Sequence, residues 1–123
     1  AGFPAVAPAV PEGWGANYAR WNGAGTDQVE FWEAGYLTAE EDFAGFKQTA
    51  QSNPTWLSQQ MDNAPATGTR SVDGTRWDLY EPADGDRHLV AELGGTTVLV
   101  SGSGDLEDLD ILASAIQQDL KEG

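Results

Sequence analysis

The side chains that could act as nucleophiles, bases or metal ligands are few, because the chain has one histidine and no cysteine. Every Ser-His or His-metal mechanism would have to use His88, which lies in a predicted strand. Ser101 and Ser103 come at a predicted strand-to-helix junction, the place of a nucleophile elbow, but the run 100–104 lacks the Gly-x-Ser-x-Gly spacing. The sequence therefore predicts no catalytic residue and favours a protein that is not an enzyme.

A glycine-rich run, residues 102–104, precedes the last predicted helix, and such a run at a helix start can bind phosphate. The residues that follow include Asp105, Glu107 and Asp108, which would repel a phosphate and which suit the positive end of the helix themselves. We therefore interpret this run as a helix cap with Asp105 as the capping residue. No cofactor is expected.

Carboxylates are abundant, so an acid and base pair of a glycan hydrolase stays open as a less favoured alternative. The candidates near aromatic residues are Glu30, Glu33, Glu81, Asp84 and Asp86. Because 20 of the 123 residues are acidic, chance proximity of two carboxyls is expected, and a solvated acidic surface is the favoured interpretation. Asp84 and Asp86 flank a glycine without the 12-residue calcium loop, so a turn and no metal site are predicted there.

The overall charge limits the partners. Six basic against 20 acidic side chains give a formal net charge of −14, which repels phosphate backbones and anionic lipid headgroups. No nucleic acid is expected as a partner. Hydrophobic residues make up 40% of the chain, enough for a packed core, so the composition predicts a folded domain.

The five tryptophans are most simply interpreted as core residues, because each can bury a large apolar area. Alternation along the predicted strands directs Trp21, Trp32 and Trp77 inward. Trp14 follows a Pro-Glu-Gly turn and is expected to be exposed at the edge of the domain.

All four arginines fall in predicted strands, where cross-strand pairing with Asp78, Glu92 or Glu30 is the simplest expectation. A small anion-receptive patch is the alternative. The residues that could together form a binding surface on the half-polar face of the sheet, or at its edge, are Trp14, Tyr18, Arg20, Arg76, Tyr80 and His88.

The elements that must position these residues begin with a predicted hairpin of residues 17–21 and 29–37, which are rich in aromatic and β-branched residues. Thr38 and Glu41 fit a capping box, and Phe43, Phe46 and Ala50 follow at helical spacing, so a helix is predicted over 39–51. Asn53 and Pro54 are the start signal of a second, short helix, whose apolar side would carry Trp56, Leu57 and Met61.

Two further hairpins follow from turn chemistry. The dipeptide at 73–74 joins strands 69–72 and 75–80 and pairs Arg70 with Trp77. The Gly-Gly pair at 94–95 joins strands 87–93 and 96–101 and pairs Leu89 with Val100. A final helix is predicted after Asp105, with an apolar stripe packed on one sheet face. That core face is predicted to consist of Trp77, Leu79, Leu89, Ala91, Leu93, Val98 and Val100.

The predicted fold class is therefore α+β, an antiparallel sheet of about six strands in the order β-β-α-α-β-β-β-β-α with helices on one face. Residues 1–10, which include Pro4 and Pro8, are expected to be an extended tether, and residues 11–123 a single domain. The chain begins Ala-Gly-Phe rather than with Met, which is typical of a processed or truncated protein.

Several short runs occur in an order that resembles a known family. They are VPEGW at 10–14, ARW at 19–21, WEAGYLT at 32–38, VDGTRW at 72–77 and TVLVSG at 97–102. Together they resemble the actinobacterial domain-of-unknown-function family 4245, over residues 10–120. The resemblance implies an extracytoplasmic domain behind one N-terminal transmembrane helix, and it carries no catalytic residues. The sheet-plus-helices pattern is also similar to envelope proteins with the Mog1/PsbP-like fold.

The expected function is a non-catalytic, extracytoplasmic binding module of the cell envelope, tethered by a preceding segment, with a protein or an envelope component as its partner. One alternative is a carrier or sensor of a small amphiphile or glycan, held between the sheet and the side chains of Phe43, Phe46, Trp56 and Met61. A carrier needs an apolar cavity of roughly 300 Å³ or more, whereas a partner reader needs only a surface patch.

Overall fold

In the computed structural model, the described residues are 8–22, 30–50, 56–57, 60, 65–82, 86–93 and 95–122. They form one antiparallel sheet of seven strands and a C-terminal helix. The strands are β1 (Gly15–Asn22), β2 (Phe31–Leu37), β3 (Phe43–Thr49), β4 (Ala66–Val72), β5 (Thr75–Tyr80), β6 (Arg87–Leu93) and β7 (Thr96–Gly102), and the helix is α1 (Leu106–Glu122). The strand order β1-β2-β3-β7-β6-β5-β4 joins two meanders through the pairing of β3 with β7.

The α+β class and all three predicted hairpins are confirmed. Strands β1 and β2 pair as the first hairpin, and the predicted partners Arg70 with Trp77 and Leu89 with Val100 face each other. At the turn between β4 and β5, Asp73 has φ 49° and Gly74 has φ 83°. Both values are positive, as a type I′ turn requires, so the turn dipeptide sets the register of this hairpin.

The helix predicted over residues 39–51 is wrong, because β3 occupies most of this range and brings the strand number to seven rather than six. Thr38 does cap the chain, but it caps a turn: its Oγ1 accepts hydrogen bonds from the backbone N–H groups of Glu40 (3.3 Å) and Asp42 (3.2 Å). Glu41 has φ 66°, which no helix allows. Strands β2 and β7 on either side of β3 provide a complete ladder, and this tertiary pairing outweighs the local helix signal.

The second predicted helix is only partly described. Trp56, Leu57 and Gln60 are helical, and Trp56 is almost completely buried. Leu57 packs against Val90 and Leu99 on the sheet face turned away from α1, so the prediction that the helices lie on one face is wrong. Asn53, Pro54 and Met61 lie outside the described residues.

The core lies between α1 and one face of the sheet. The predicted stripe of α1 consists of Leu106, Leu109, Leu112, Ala113, Ile116 and Leu120. The four middle residues are at most 1% exposed, and Leu106 and Leu120 at its ends are partly buried against the core. Every residue of the predicted core face belongs to the same cluster, with Leu93 at its margin. The apolar periodicity of residues 106–120 therefore predicted this interface correctly.

A buried polar link also ties α1 to the sheet. The Trp77 indole N–H donates to Gln117 Oε1 at 2.8 Å, and Gln117 Nε2 donates to the Val72 carbonyl oxygen at 3.1 Å. Both partners of each bond are buried, and the amide of Gln117 provides the buried Trp77 N–H with an acceptor.

Three tryptophans were predicted to point inward, and they differ from one another in how far they are buried. Trp77 is completely buried, Trp32 is partly buried against the core, and Trp21 is 39% exposed. The prediction that Trp14 is exposed at the edge of the domain is wrong, because Trp14 is partly buried against the core. Helix α1 lies over β7, β6, β3 and β4, so Trp21 on the edge strand β1 is beyond its cover.

Residues 8–10 are the part of the predicted tether that the structure describes. Pro8 is buried and Val10 packs against the core, so these residues lie on the domain.

Candidate functional site

The face of the sheet turned away from α1, called the second face here, carries a small cavity of about 210 Å³. Alternation along β1, β2, β3, β6 and β7 brings its side chains together from strands that are distant in sequence. We call it the second-face pocket. Its lining residues include Tyr18, Glu33, Phe43, Gly45, Lys47, Gln60, Asp86, His88, Leu99 and Ser101.

Two aromatic rings form one wall of the pocket. The rings of Tyr18 and Phe43 are nearly parallel, with an interplanar angle of 16° and centroids 6.3 Å apart. Both lie close over Gly35, where an added Cβ would come within 2.5 Å of the Tyr18 ring and 2.8 Å of the Phe43 ring. The absence of a side chain at this position therefore lets the rings lie down on the sheet.

Glu33 is a buried carboxylate held by two donors. Arg20 Nε and Asn22 Nδ2 both donate to its Oε2, at 2.8 Å and 2.9 Å, and Glu33 is only 5% exposed. The Arg20 guanidinium carbon also lies 4.8 Å from the centroid of the Tyr18 ring, within cation–π range. Arg20 thus neutralises Glu33 and covers Tyr18 at the same time.

Lys47 brings a second cation to the pocket. Its Nζ donates to Gln60 Oε1 at 2.5 Å and lies 5.6 Å from the centroid of the Phe31 ring. Burial lowers the pKa of the Lys47 amine, and Arg20 lowers it further, whereas Glu33 opposes the shift. The buried amine is therefore less strongly hydrated than the amine of a surface lysine.

His88 and Ser101 face each other across β6 and β7, and His88 Nδ1 lies 2.6 Å from Ser101 Oγ. The distance suits a hydrogen bond, whose direction depends on the imidazole tautomer. In a Ser-His dyad the serine meets Nε2 while Nδ1 is held by a third group, so this contact through Nδ1 has the opposite orientation. We interpret the pair as a cross-strand hydrogen bond that fixes two polar groups on the pocket wall.

The hydroxyl of Tyr18 also stays protonated at neutral pH. Burial raises its pKa, and Glu33 raises it further, with a smaller opposing effect of Arg20. Tyr18 therefore has a hydroxyl that can both donate and accept a hydrogen bond.

The six residues predicted as a binding surface are distributed as follows. Tyr18 and His88 line the second-face pocket, and Arg20 lies on Tyr18. Tyr80 packs on the second face beside Val90 and Leu99, and the exposed Arg76 is on the same strand, two positions from Asp78. Trp14 lies against the helix-side core and is not part of this group.

Sequence reasoning named Phe43 only for the carrier alternative and did not include Lys47 in any site, because both were assigned to a helix. In β3 they project from the same face as Gly45, between β2 and β7. Ser101 and Glu33 were considered only as a nucleophile and as a general acid or base. The two glycines facing each other in the aligned strands, Gly35 and Gly45, were the signal that could have shown where aromatic rings cover the sheet.

The arginine partners predicted from cross-strand pairing are wrong for three of the four arginines. Arg20 pairs with Glu33, Arg70 with Asp110 and Arg87 with Glu81. The Arg70 pair is bidentate, at 2.9 Å and 2.5 Å, and connects β4 to α1 rather than to another strand.

A larger groove of about 510 Å³ lies between residues 9–11 and the outer surface of α1. Its walls carry Ile111, Ser114, Ala115, Gln118 and Asp119, which include no histidine or basic side chain. The second-face pocket is therefore the better candidate for specific recognition, although it is the smaller of the two.

Among the described residues, no three histidine or acidic side chains are placed to share a metal ion. Asp84 lies outside those residues, and so does the turn predicted around it. Within the same ranges, no helix has the length and apolarity that crossing a bilayer requires.

The fold and the pocket define an α+β protein whose helix covers one sheet face and whose other face carries a compact polar site. The family model described as a protein of unknown function (DUF4245) matches residues 1–116, and the chain belongs to this family. No curated protein and no solved structure gives a significant match. The resemblance inferred from the short sequence runs is thereby confirmed.

Proposed function

We propose that this chain is a non-catalytic, extracytoplasmic binding module that recognises a component of the cell envelope through the second-face pocket. The observation that carries the proposal is the convergence of Glu33, Lys47, His88 and Ser101 beside the Tyr18 and Phe43 rings. A concave site with a small number of well-placed polar groups is typical of ligand recognition. The placement outside the cytoplasm, behind a preceding membrane segment, rests on the family resemblance. An architecture of the Mog1/PsbP-like kind, which we also propose, rests on the pattern of sheet and helices.

The chemistry of the pocket favours recognition over catalysis. Glu33 already accepts two hydrogen bonds on one oxygen. Ser101 Oγ contacts Nδ1 of His88, whereas the serine of a catalytic dyad contacts Nε2. These contacts hold side chains in place, which lowers the entropic cost of binding a ligand.

The carrier alternative receives less support. A cavity of about 210 Å³ is below the ~300 Å³ at which pockets for drug-sized molecules begin. Phe46, one of the four side chains expected to enclose the cargo, is buried in the helix-side core.

The binding proposal is tested with purified chain and envelope fragments of the source cells. We expect the chain to sediment with the fragments, and Lys47→Met and Ser101→Ala to weaken this association. Ser114→Ala, on the opposite side of the molecule, is the matched control for Ser101→Ala and should associate as the unaltered chain does. Association that is equal for all four proteins, or absent for all, overturns the proposal.

Location is tested separately with the full-length protein in intact cells. Protease added outside should digest the domain while a cytosolic marker survives. Protection of the domain to the same extent as the marker overturns the extracytoplasmic placement.

A further inference from the structure

We infer that the second-face pocket binds one neutral sugar ring of an envelope polysaccharide. The inference rests on the proposed function, because it specifies the ligand of the same site.

The charges around the pocket favour a ligand without net charge. Arg20 and Lys47 are the cations at the site, and Glu33 and Asp86 are the carboxylates. Two positive and two negative groups balance, and the pair Arg20–Glu33 is already joined at 2.8 Å. An anionic ligand would therefore meet no surplus positive charge here, and it would approach a protein with a net charge of −14.

The hydrogen-bonding groups suit hydroxyls, which donate and accept at once. Ser101 and Tyr18 bring hydroxyls, Asp86 brings acceptor oxygens and the Lys47 amine brings donors. A lipid chain, which has neither donors nor acceptors, would use none of this set. A ring carrying several hydroxyls would use donors and acceptors together.

The aromatic wall supplies the apolar contact that a sugar ring needs. A pyranose has one face of C–H groups, which packs well on a flat aromatic ring. The side of Phe43 turned toward the sheet lies against Gly35 and Gly45, with ring atoms 2.8 Å and 2.7 Å from where their Cβ atoms would be. Phe43 remains partly exposed, and it lines a cavity of about 210 Å³, room for one such ring rather than two.

The test is a titration of ¹⁵N-labelled chain with methyl glycosides of glucose, mannose, galactose, arabinose and N-acetylglucosamine, followed by amide chemical shifts. We expect at least one of them to bind with a Kd in the range of about 1–10 mM, with shifts at Gly35, Gly45 and Ser101. Glucuronate, which adds a negative charge to the same ring, should bind at least about tenfold more weakly.

Three variants sharpen the test. Phe43→Leu keeps an apolar side chain but removes the flat ring, and Ser101→Ala removes one hydroxyl; each should weaken binding about five- to tenfold. Ser114→Ala should bind as the unaltered chain does. Thermal melting checks that each variant is folded, and the Ser101→Ala result stands alone where Phe43→Leu fails that check.

The outcomes separate this inference from the proposed function. The inference is overturned if no neutral glycoside shifts the pocket amides, if glucuronate binds more tightly, or if the pocket variants bind like Ser114→Ala. If envelope fragments still bind through the pocket in those cases, the binding module stands with a different ligand, such as a protein. If glycosides bind and envelope fragments do not, the sugar site stands and the envelope role fails.

Discussion

Gly35 and Gly45 face each other across β2 and β3, and each lies directly beneath an aromatic ring. A Cβ atom at Gly35 would be 2.5 Å from Tyr18 Cε2, and one at Gly45 would be 2.7 Å from Phe43 Cζ. The pair therefore makes room for the two rings on the sheet surface, and it shapes the wall of the second-face pocket from beneath.

We predict that Gly45→Ala lowers the free energy of unfolding by about 1–3 kcal/mol, as overpacking does. The methyl group would meet the Phe43 ring and also the Ala34 carbonyl oxygen, at 2.9 Å, and backbone cannot move aside cheaply. The matched control is Gly68→Ala in β4, where a Cβ meets nothing within 4 Å. Urea unfolding of both variants checks this, and equal losses at the two positions would contradict the close approach of the rings.

The apolar stripe of α1 gives a second prediction. Leu112→Ala and Ile116→Ala should each lower the free energy of unfolding by about 2–5 kcal/mol, because both side chains are completely buried between helix and sheet. Ile111→Ala on the same helix removes a side chain that is 39% exposed, and its cost should be clearly smaller. Losses under about half a kcal/mol at both buried positions would show that the helix is peripheral.

The side-chain amide of Gln117 gives a third prediction. Gln117→Leu keeps the volume but leaves the buried Trp77 N–H without its partner, which should cost about 1–3 kcal/mol. Trp77→Phe removes the N–H, so combining the two changes should cost less than the sum of the single losses. Strict additivity in this double-mutant cycle would mean that the hydrogen bond contributes nothing.

Much of the sheet could be predicted because local signals and tertiary structure agree there. The turn at Asp73 and Gly74 needs two positive φ values, and its sequence specifies them, which sets the partners of β4 and β5. The stripe from Leu109 to Ile116 has a helical period and is long enough to exclude a strand.

The pocket could not be predicted, because the local sequence before β3 indicates the start of a helix rather than a strand. Thr38 followed by Glu41 fits a helix cap, and only the pairing of β3 with β2 and β7 shows that Thr38 caps a turn. The partner β7 lies about fifty residues away along the chain, and no local pattern specifies such a pairing. Because the strand was missed, Lys47 was not considered at all, and Phe43 was considered only for the carrier alternative.

The carboxylates of two aspartates lie close to Gly104 at the start of α1, and they lead to a prediction about pH. A Cβ at Gly104 would lie 2.7 Å from Asp108 Oδ2 and 2.8 Å from Asp42 Oδ2. Burial raises the pKa of Asp108, and the charges of Asp105 and Asp42 raise it further. The folded chain therefore binds this proton more tightly than the unfolded chain does, so charged Asp108 lowers stability at neutral pH. This penalty disappears as the pH falls through the raised pKa.

Asp42→Asn should therefore increase the melting temperature at pH 7, and the gain should shrink toward pH 4 as Asp108 becomes protonated. Glu12→Gln removes one negative charge from an exposed residue elsewhere, and it is the control for the change in net charge. Equal gains for both variants at pH 7 would mean that the overall charge, and not the approach of Asp42 to Asp108, sets the effect.

The net charge of −14 leads to the last prediction, which concerns salt. Repulsion among exposed acids acts over about 30 Å at 10 mM salt and over only a few ångströms at 500 mM. Of the three arginine–acid pairs among the described residues, Arg87–Glu81 is exposed on both sides, and such a pair contributes about 1 kcal/mol or less. The Glu33 carboxylate is buried and the Arg70–Asp110 pair is partly buried, so salt screens these two pairs less, and screening of the pairs costs little. Relief of the repulsion should therefore win, and the melting temperature should rise between about 10 mM and 500 mM sodium chloride. The control is an uncharged osmolyte at the same osmolality. It is excluded from the protein surface but does not screen charge, so a rise in melting temperature that only the salt produces is due to screening. A flat or falling curve in sodium chloride would show that hydrogen bonds, helix caps and arginine pairs already compensate the acids, and the acidity would then say nothing about a partner.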